Sequence, residues 1–168
     1  MTHVIQPGES IPAVPVKLVD ADGIVDTSSD QVLGQGRVVL FAVPGAFTPT
    51  CHVNHLPSFL ANADKLKAAG IDRIVCAATN DHHVMKAWAT ASDALGVIDF
   101  VADGNGQLAK ALGLDKDMSG SGMGLRYARS AMLIRDGRVE AVFAEDKPGQ
   151  VTATGAPAIL LALQGASA

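Results

Sequence analysis

Arg37-Val-Val-Leu-Phe-Ala-Val43-Pro-Gly-Ala-Phe-Thr48-Pro-Thr-Cys51 is the stretch on which the reading of the fold turns. From Val38 to Val43 the chain is apolar without alternation, and Gly36 and Pro44 bound the run. A short unbroken apolar run between breakers predicts a strand buried on both faces. A loop from Pro44 to Pro49 follows. Beyond it Val53, Leu56, Leu60, Ala63 and Leu66 recur at intervals of three and four, which predicts a helix closed by Gly70. Pro57 lies inside that pattern and is expected to kink it.

Working outward, Ile71 to Ala78 and Ile98 to Ala102 read as further buried strands. Between them, Asn80 or Asp81 caps a helix whose Val84, Met85, Trp88 and Ala91 are expected to share one face. Gln107 to Leu112 is a short helix closed by Gly113. Ser130 to Ile134 and Arg138 to Phe143 form a hairpin across Arg135-Asp-Gly-Arg138, and Ala156 to Leu163 is a terminal helix. Towards the N-terminus, Ile11 to Val19 is extended, and Pro12 and Pro15 suit an edge strand that ends in the turn Asp20-Ala-Asp-Gly23. Strands alternating with helices, then a hairpin and a helix, describe an α/β fold with a mixed central sheet flanked by helices. The order fits a thioredoxin-like arrangement, read as a single domain over residues 1–168.

Composition narrows the function. The 168 residues are 48% hydrophobic and 18% charged, which suits a packed core and not a disordered chain. A net charge of −4 argues against a general nucleic-acid binder, which needs a basic face. No apolar run approaches the ~20 residues of a membrane span. The N-terminus lacks the basic and apolar regions of a signal peptide, so the expected location is cytoplasmic. Cys51 and Cys76 are the only cysteines, too few for a secreted disulfide framework. No Cys-x-x-Cys is present, and Gly120-x-Gly-x-Gly124 precedes a strand, so it is no dinucleotide fingerprint. That loop reads as a border of the site.

Cys51 is the candidate nucleophile. It falls in the first turn of a helix, where backbone N–H groups and the helix dipole favour an anion and lower a thiol pKa. Thr48 lies one turn earlier, so its hydroxyl can reach the sulfur or a bound oxygen. Pro44 offers an apolar wall with no competing N–H. The competing reading of Cys51 is a small buried hydrophobe. Cys51 and His55 stand four apart, a spacing that also suits metal ligands with His82 or His83 as a third. The favoured reading has His55 packed and hydrogen-bonded beneath the site, His82 and His83 solvated in a first helical turn, Trp88 as packing, and no metal or cofactor.

Pro44-x-x-x-Thr48-x-x-Cys51 resembles the peroxidatic motif of peroxiredoxins. The longer run Val43 to Cys51, with His55-Leu-Pro57 and Phe59, is similar to the type-five subfamily in particular. The likeness continues at Asn80-Asp81, Val84-Met85, Ala87-Trp88, Gly122-Met-Gly-Leu-Arg126-Tyr-Ala-Arg129-Ser-Ala-Met132 and Asp136-Gly137. The resemblance implies a thioredoxin-type fold and a thiol peroxidase acting on hydrogen peroxide and small organic hydroperoxides. It implies Cys51 as the peroxidatic nucleophile, with Arg129 completing the site beside Thr48 and Pro44, and it implies a homodimer. A guanidinium stays charged and offers fixed donors, in keeping with that role, against the alternative of a surface salt bridge. Arg126 is a lesser candidate, at a subunit interface. Many members of the subfamily carry a resolving cysteine late in the chain, where Gly149-Gln-Val-Thr-Ala-Thr-Gly155 has none. Cys76, in a buried strand, is expected to be inert. A one-cysteine cycle with an external reductant follows, either glutathione with glutaredoxin, or thioredoxin. The rival from another class is a redox sensor that forms mixed disulfides through Cys51 and does not turn over.

Overall fold

The computed structural model describes residues 3–145 and 151–166, with the side chains of 51, 53, 165 and 166 outside that description. The apolar run becomes β3 (Arg37–Ala42), and it alternates between two cores as the pleat requires. Val39, Phe41 and Val43 enter one core, whereas Val38, Leu40 and Ala42 enter the other. β3 pairs in parallel with β4 (Arg73–Ala78), which pairs in parallel with β5 (Asp99–Ala102). On its other side β3 runs antiparallel to β8 (Ser130–Arg135), which continues into β9 (Arg138–Ala144). With β1 (Pro15–Asp20) and β2 (Gly23–Ser28), the order across the seven-stranded sheet is β2-β1-β5-β4-β3-β8-β9. The sheet is therefore mixed, with parallel strands at its centre.

Helices cover both faces. α2 (Leu56–Ala68), α3 (His82–Ala91) and α5 (Ala156–Ala166) pack on the core that holds Phe41. α1 (Ser29–Leu33) and α4 (Gln107–Leu112) pack on the other. Gly113 closes α4 in the left-handed region at φ +71°, and a Cβ there would sit 2.0 Å from the His3 carbonyl oxygen. Asp136 and Gly137 both take positive φ, as the tight β8–β9 hairpin demands.

Three expectations need correction. The N-terminal strand is β1 alone, and it lies inside the sheet because β2 pairs along its outer side. Pro15 is tolerated as its first residue. β2 gave no sequence signal because none of its residues is buried and its two apolar side chains, Ile24 and Val25, are adjacent and not alternating. On α3, Ala89 is buried where Ala91 was expected, alongside Met85 and Trp88. The helix after β3 is not one regular α-helix interrupted at Pro57. Pro57 sits in the first turn of α2, and Cys51–His55 ahead of it form a π-helical turn. Pro57 has no N–H to close a bond to residue 53 and its ring crowds that carbonyl, so the widened turn absorbs the misfit. The short α1, β6 (Asp115–Asp117) and β7 (Leu125–Tyr127) are further elements the sequence pattern did not reveal.

Candidate active site

The chain leaves β3 at the sheet's parallel centre, turns through Pro44–Thr48, becomes helical at Pro49 and continues from Cys51 as a π-helical turn. The loop is pinned from several sides. Pro44 is buried, and its carbonyl accepts from Arg126 Nη1 at 3.2 Å. Ala46 N–H donates to Asn80 Oδ1 at 2.9 Å. The Thr48 hydroxyl donates to the Gly45 carbonyl at 2.7 Å, and His52 N–H returns to the Thr48 carbonyl at 2.9 Å. Gly45 is required by this packing, since a Cβ would stand 2.8 Å from Arg126 Nη1. Phe47 is held at φ +61°, a strained conformation for a bulky residue that persists only when its surroundings fix it. Having spent its hydrogen on Gly45, the Thr48 oxygen faces any further partner as an acceptor.

Arg129 is 5% exposed, so it is no surface salt-bridge arginine. Its Nη1 donates to His55 Nδ1 at 2.8 Å. His55 is fully buried beside the stacked rings of Phe41 and Phe59, tilted to both at centroid distances of 5.0 and 5.7 Å. Its Nε2 lies 3.0 Å from the Thr154 carbonyl. A carbonyl only accepts and a guanidinium only donates, so the imidazole is neutral with its proton on Nε2. Burial, helped by the neighbouring Arg129 charge, lowers its pKa to about 4. Thr154 is held in turn by Glu145, whose Oε2 accepts from the Thr154 N–H at 2.6 Å and its hydroxyl at 2.5 Å. Partial burial raises the Glu145 pKa, but bonds from Thr154, Thr152 and Ala153 outweigh it and hold the carboxyl at about 2.

Pro44, Thr48 and Arg129 thus converge on the loop and turn that carry Cys51, whose own side chain lies outside the described part. His55 packs and bonds beneath the site, as its sequence position suggested. Cys76 is fully buried in β4, opposite Phe41 of β3 and Phe100 of β5. His82 and His83 lie in the first turn of α3. Among the described residues no group of three or more His, Cys, Asp and Glu could hold a metal ion. Trp88 does more than pack, because its indole N–H donates to His52 Nδ1 at 3.1 Å. The sequence missed Asn80 as the clamp on Ala46; it had suggested only a helix cap, a role that Asp81 fills. It also missed Arg126 as the clamp on Pro44, and the Glu145–Thr154 link. The 119–124 loop borders the site through Arg126 Nε, which donates to the Met123 carbonyl at 2.9 Å. A cleft of about 440 Å³ lined by Lys17, Asp26, Asp81 and His82 includes none of Pro44, Thr48, His55 or Arg129.

A mixed sheet with this strand order, and a cysteine at the helix turn after its central strand, defines a thiol oxidoreductase of thioredoxin-like fold. The chain belongs to the Redoxin family, whose model it matches over residues 6–160, and within it to the peroxiredoxins; it is a thiol peroxidase. It is 40% identical over 157 residues to Peroxiredoxin-2B of Arabidopsis thaliana, covering 93% of this chain and 96% of that one. A crystal structure of reduced Prx3 in complex with hydrogen peroxide, from Vibrio vulnificus, is similar with a TM-score of 0.88 and 41% identity over 95% of this chain and 99% of the other. Peroxiredoxin 5 from Alvinella pompejana matches with a TM-score of 0.82 and 35% identity, covering 96% of this chain and 99% of the other. Among the described residues no helix is long and apolar enough to cross a membrane.

Proposed function

We propose that Cys51 is the peroxidatic nucleophile of a one-cysteine cycle that reduces hydrogen peroxide and small organic hydroperoxides. The observation that carries this reading is the buried Arg129 guanidinium, bonded into the same helical turn that Cys51 begins. The Cys51 thiolate attacks one peroxide oxygen in line. The S–O bond forms as the O–O bond breaks, and water or an alcohol leaves after taking up a proton. Arg129 and backbone N–H groups stabilise the negative charge passing to the leaving oxygen. The Thr48 oxygen accepts from the peroxide O–H and orients it. Pro44 closes the apolar side.

Cys51 is left as a sulfenic acid. One external thiol condenses with it, releasing water and forming a mixed disulfide; a second thiol displaces Cys51 and carries the disulfide away. An external donor is favoured because Cys76 is buried and the 149–155 segment holds no cysteine. Glutathione with glutaredoxin, or thioredoxin, fits that role. The protein acts in the cytoplasm as a homodimer. Peroxide consumption coupled to each reductant tests the cycle. Cys51→Ser abolishes turnover, whereas Cys76→Ser retains most of it. Equal loss in both variants would refute a one-cysteine cycle, and a single equivalent consumed by wild type would indicate a sensor.

A further inference from the structure

The β6–β7 ribbon carries charge that the mechanism does not use. Lys116 of β6 stands directly opposite Arg126 of β7, so both side chains leave the same face of the ribbon. The other face turns inward. There Tyr127 bonds to the buried Asp103 at 2.9 Å, and Leu125 packs against Gly106 ahead of α4. Asp115 and Asp117 belong to that second face by alternation. The Arg126 guanidinium reaches the candidate active site. A Cβ on Gly45 would stand 2.8 Å from Arg126 Nη1 and 3.2 Å from Thr48 Cγ2, so the arginine and Thr48 flank the same glycine. Arg126 donates from Nε to Met123 and from Nη1 to Pro44, which leaves Nη2 and a second Nη1 hydrogen without a partner among the described residues. Arg126 is half-buried and Lys116 is exposed. The ion pairs among the described residues involve neither of them.

Like charges directly opposite on one face of a ribbon repel, and a half-buried cation without a counter-charge has given up water for nothing of equal strength. The Met123 and Pro44 carbonyls offset part of that cost. An anion seated between the two cations removes more of it. A guanidinium takes a planar carboxylate through paired N–H donors, and a lysine adds a mobile point charge. We propose that Arg126 and Lys116 form a carboxylate-recognition rim, which favours a reactant that brings a carboxylate to Cys51. The inference rests on the reading of Cys51 as nucleophile. The carboxylate comes from either of two sources: a hydroperoxide with an acidic tail, or an acidic thiol that reduces the sulfenic acid. Hydrogen peroxide carries no such group, so the rim sorts reactants by charge and takes no part in breaking the O–O bond.

The test compares each acid with its ester, in two arms. The first arm reads kcat/KM for linoleic acid hydroperoxide against its methyl ester. The second oxidises Cys51 with one equivalent of hydrogen peroxide and reads, by mass spectrometry, the rate of mixed-disulfide formation with glutathione against glutathione monoethyl ester. Each result is a ratio within one variant, so a general loss through the Pro44 clamp cancels. Wild type should favour the acid in at least one arm, and the arm that responds names the source. Each cation should contribute about three- to fivefold, the effect of one charge pair some 4–6 Å apart in a water-like medium. Arg126→Gln therefore lowers the ratio by about that factor, Lys116→Glu lowers it further through repulsion, and Lys116→Arg retains it. Raising the salt concentration moves the wild-type ratio toward one. A wild-type ratio near one in both arms overturns the proposal, as it would if a second copy of the chain supplied the missing carboxylate. So does a ratio unmoved in Lys116→Glu. If Arg126→Gln does not fold, the exposed Lys116 decides alone. Failure of the underlying reading shows separately, as peroxide turnover surviving in Cys51→Ser; a ratio near one with Cys51→Ser inactive refutes the rim only.

Discussion

His55 shows how one residue ties stability to the chemistry of the site. Its ordinary pKa of 6.5 falls to about 4 in the folded chain, first because burial penalises the cation and then because Arg129 adjoins it. The unfolded chain therefore binds more protons between pH 6.5 and about 4, and stability falls as pH falls through that window. The contribution lost is about 3 kcal/mol by the usual 1.4 kcal/mol per pH unit. Glu145 acts lower. Its folded pKa of about 2 lies below the ordinary 4.5, so its contribution is present above pH 4.5 and is lost on descending from there toward 2. Urea denaturation at pH 7 and at pH 4.5 should show a clear fall in stability for wild type and a much flatter response in His55→Leu. A wild-type midpoint equal at both pH values would contradict a neutral buried imidazole. The sequence indicated a buried, hydrogen-bonded His55, but not its partners. Thr154 is 99 residues away and Arg129 is 74, and no local pattern encodes such distances.

At the scale of elements, the unbroken apolar run and the glycine stops were readable because each follows from local chemistry. β3, α4 and the β8–β9 hairpin lie where Val38–Val43, Gly113 and Asp136-Gly137 put them. The π-helical turn at Cys51–His55 was not readable, because a proline inside an apolar periodicity permits a kink, a start or a widened turn alike. Packing of Leu56 and Phe59 against the sheet selects the widened turn, with α2 beginning at Leu56. β2, whose strand signal is weak, escaped notice and made β1 look like an edge. Pro57→Ala supplies the missing N–H and removes the clash, so the turn is free to close into a regular α-helix. Rewinding the turn from π-helical to α-helical geometry rotates Cys51 by roughly 100° relative to α2. The variant should melt at the same temperature as wild type or higher, while kcat/KM for peroxide falls at least tenfold. Full activity in Pro57→Ala would mean that the widened turn has no part in placing the sulfur.

Across the whole molecule, the sheet brings separate segments to one place: the loop after β3, Asn80 after β4, Arg126 on β7, Arg129 before β8 and Thr154 before α5. Phe47 stands at the rim of this assembly, 48% exposed and held at positive φ. Its ring lies 5.5 Å from that of His52 and 6.4 Å from that of Trp88. A rigid, exposed aromatic beside the site is the natural contact for the homodimer proposed above. Phe47→Glu should convert the dimer to monomer in analytical ultracentrifugation at micromolar concentration while leaving the melting temperature within a few degrees of wild type. An unchanged sedimentation profile would move the interface elsewhere. The most direct test of the account is titration of the Cys51 thiol itself, by thiolate absorbance of wild type less that of Cys51→Ser. The account predicts a midpoint below neutrality, well under the ~8.5 of an unperturbed cysteine; a midpoint at or above that value would contradict it.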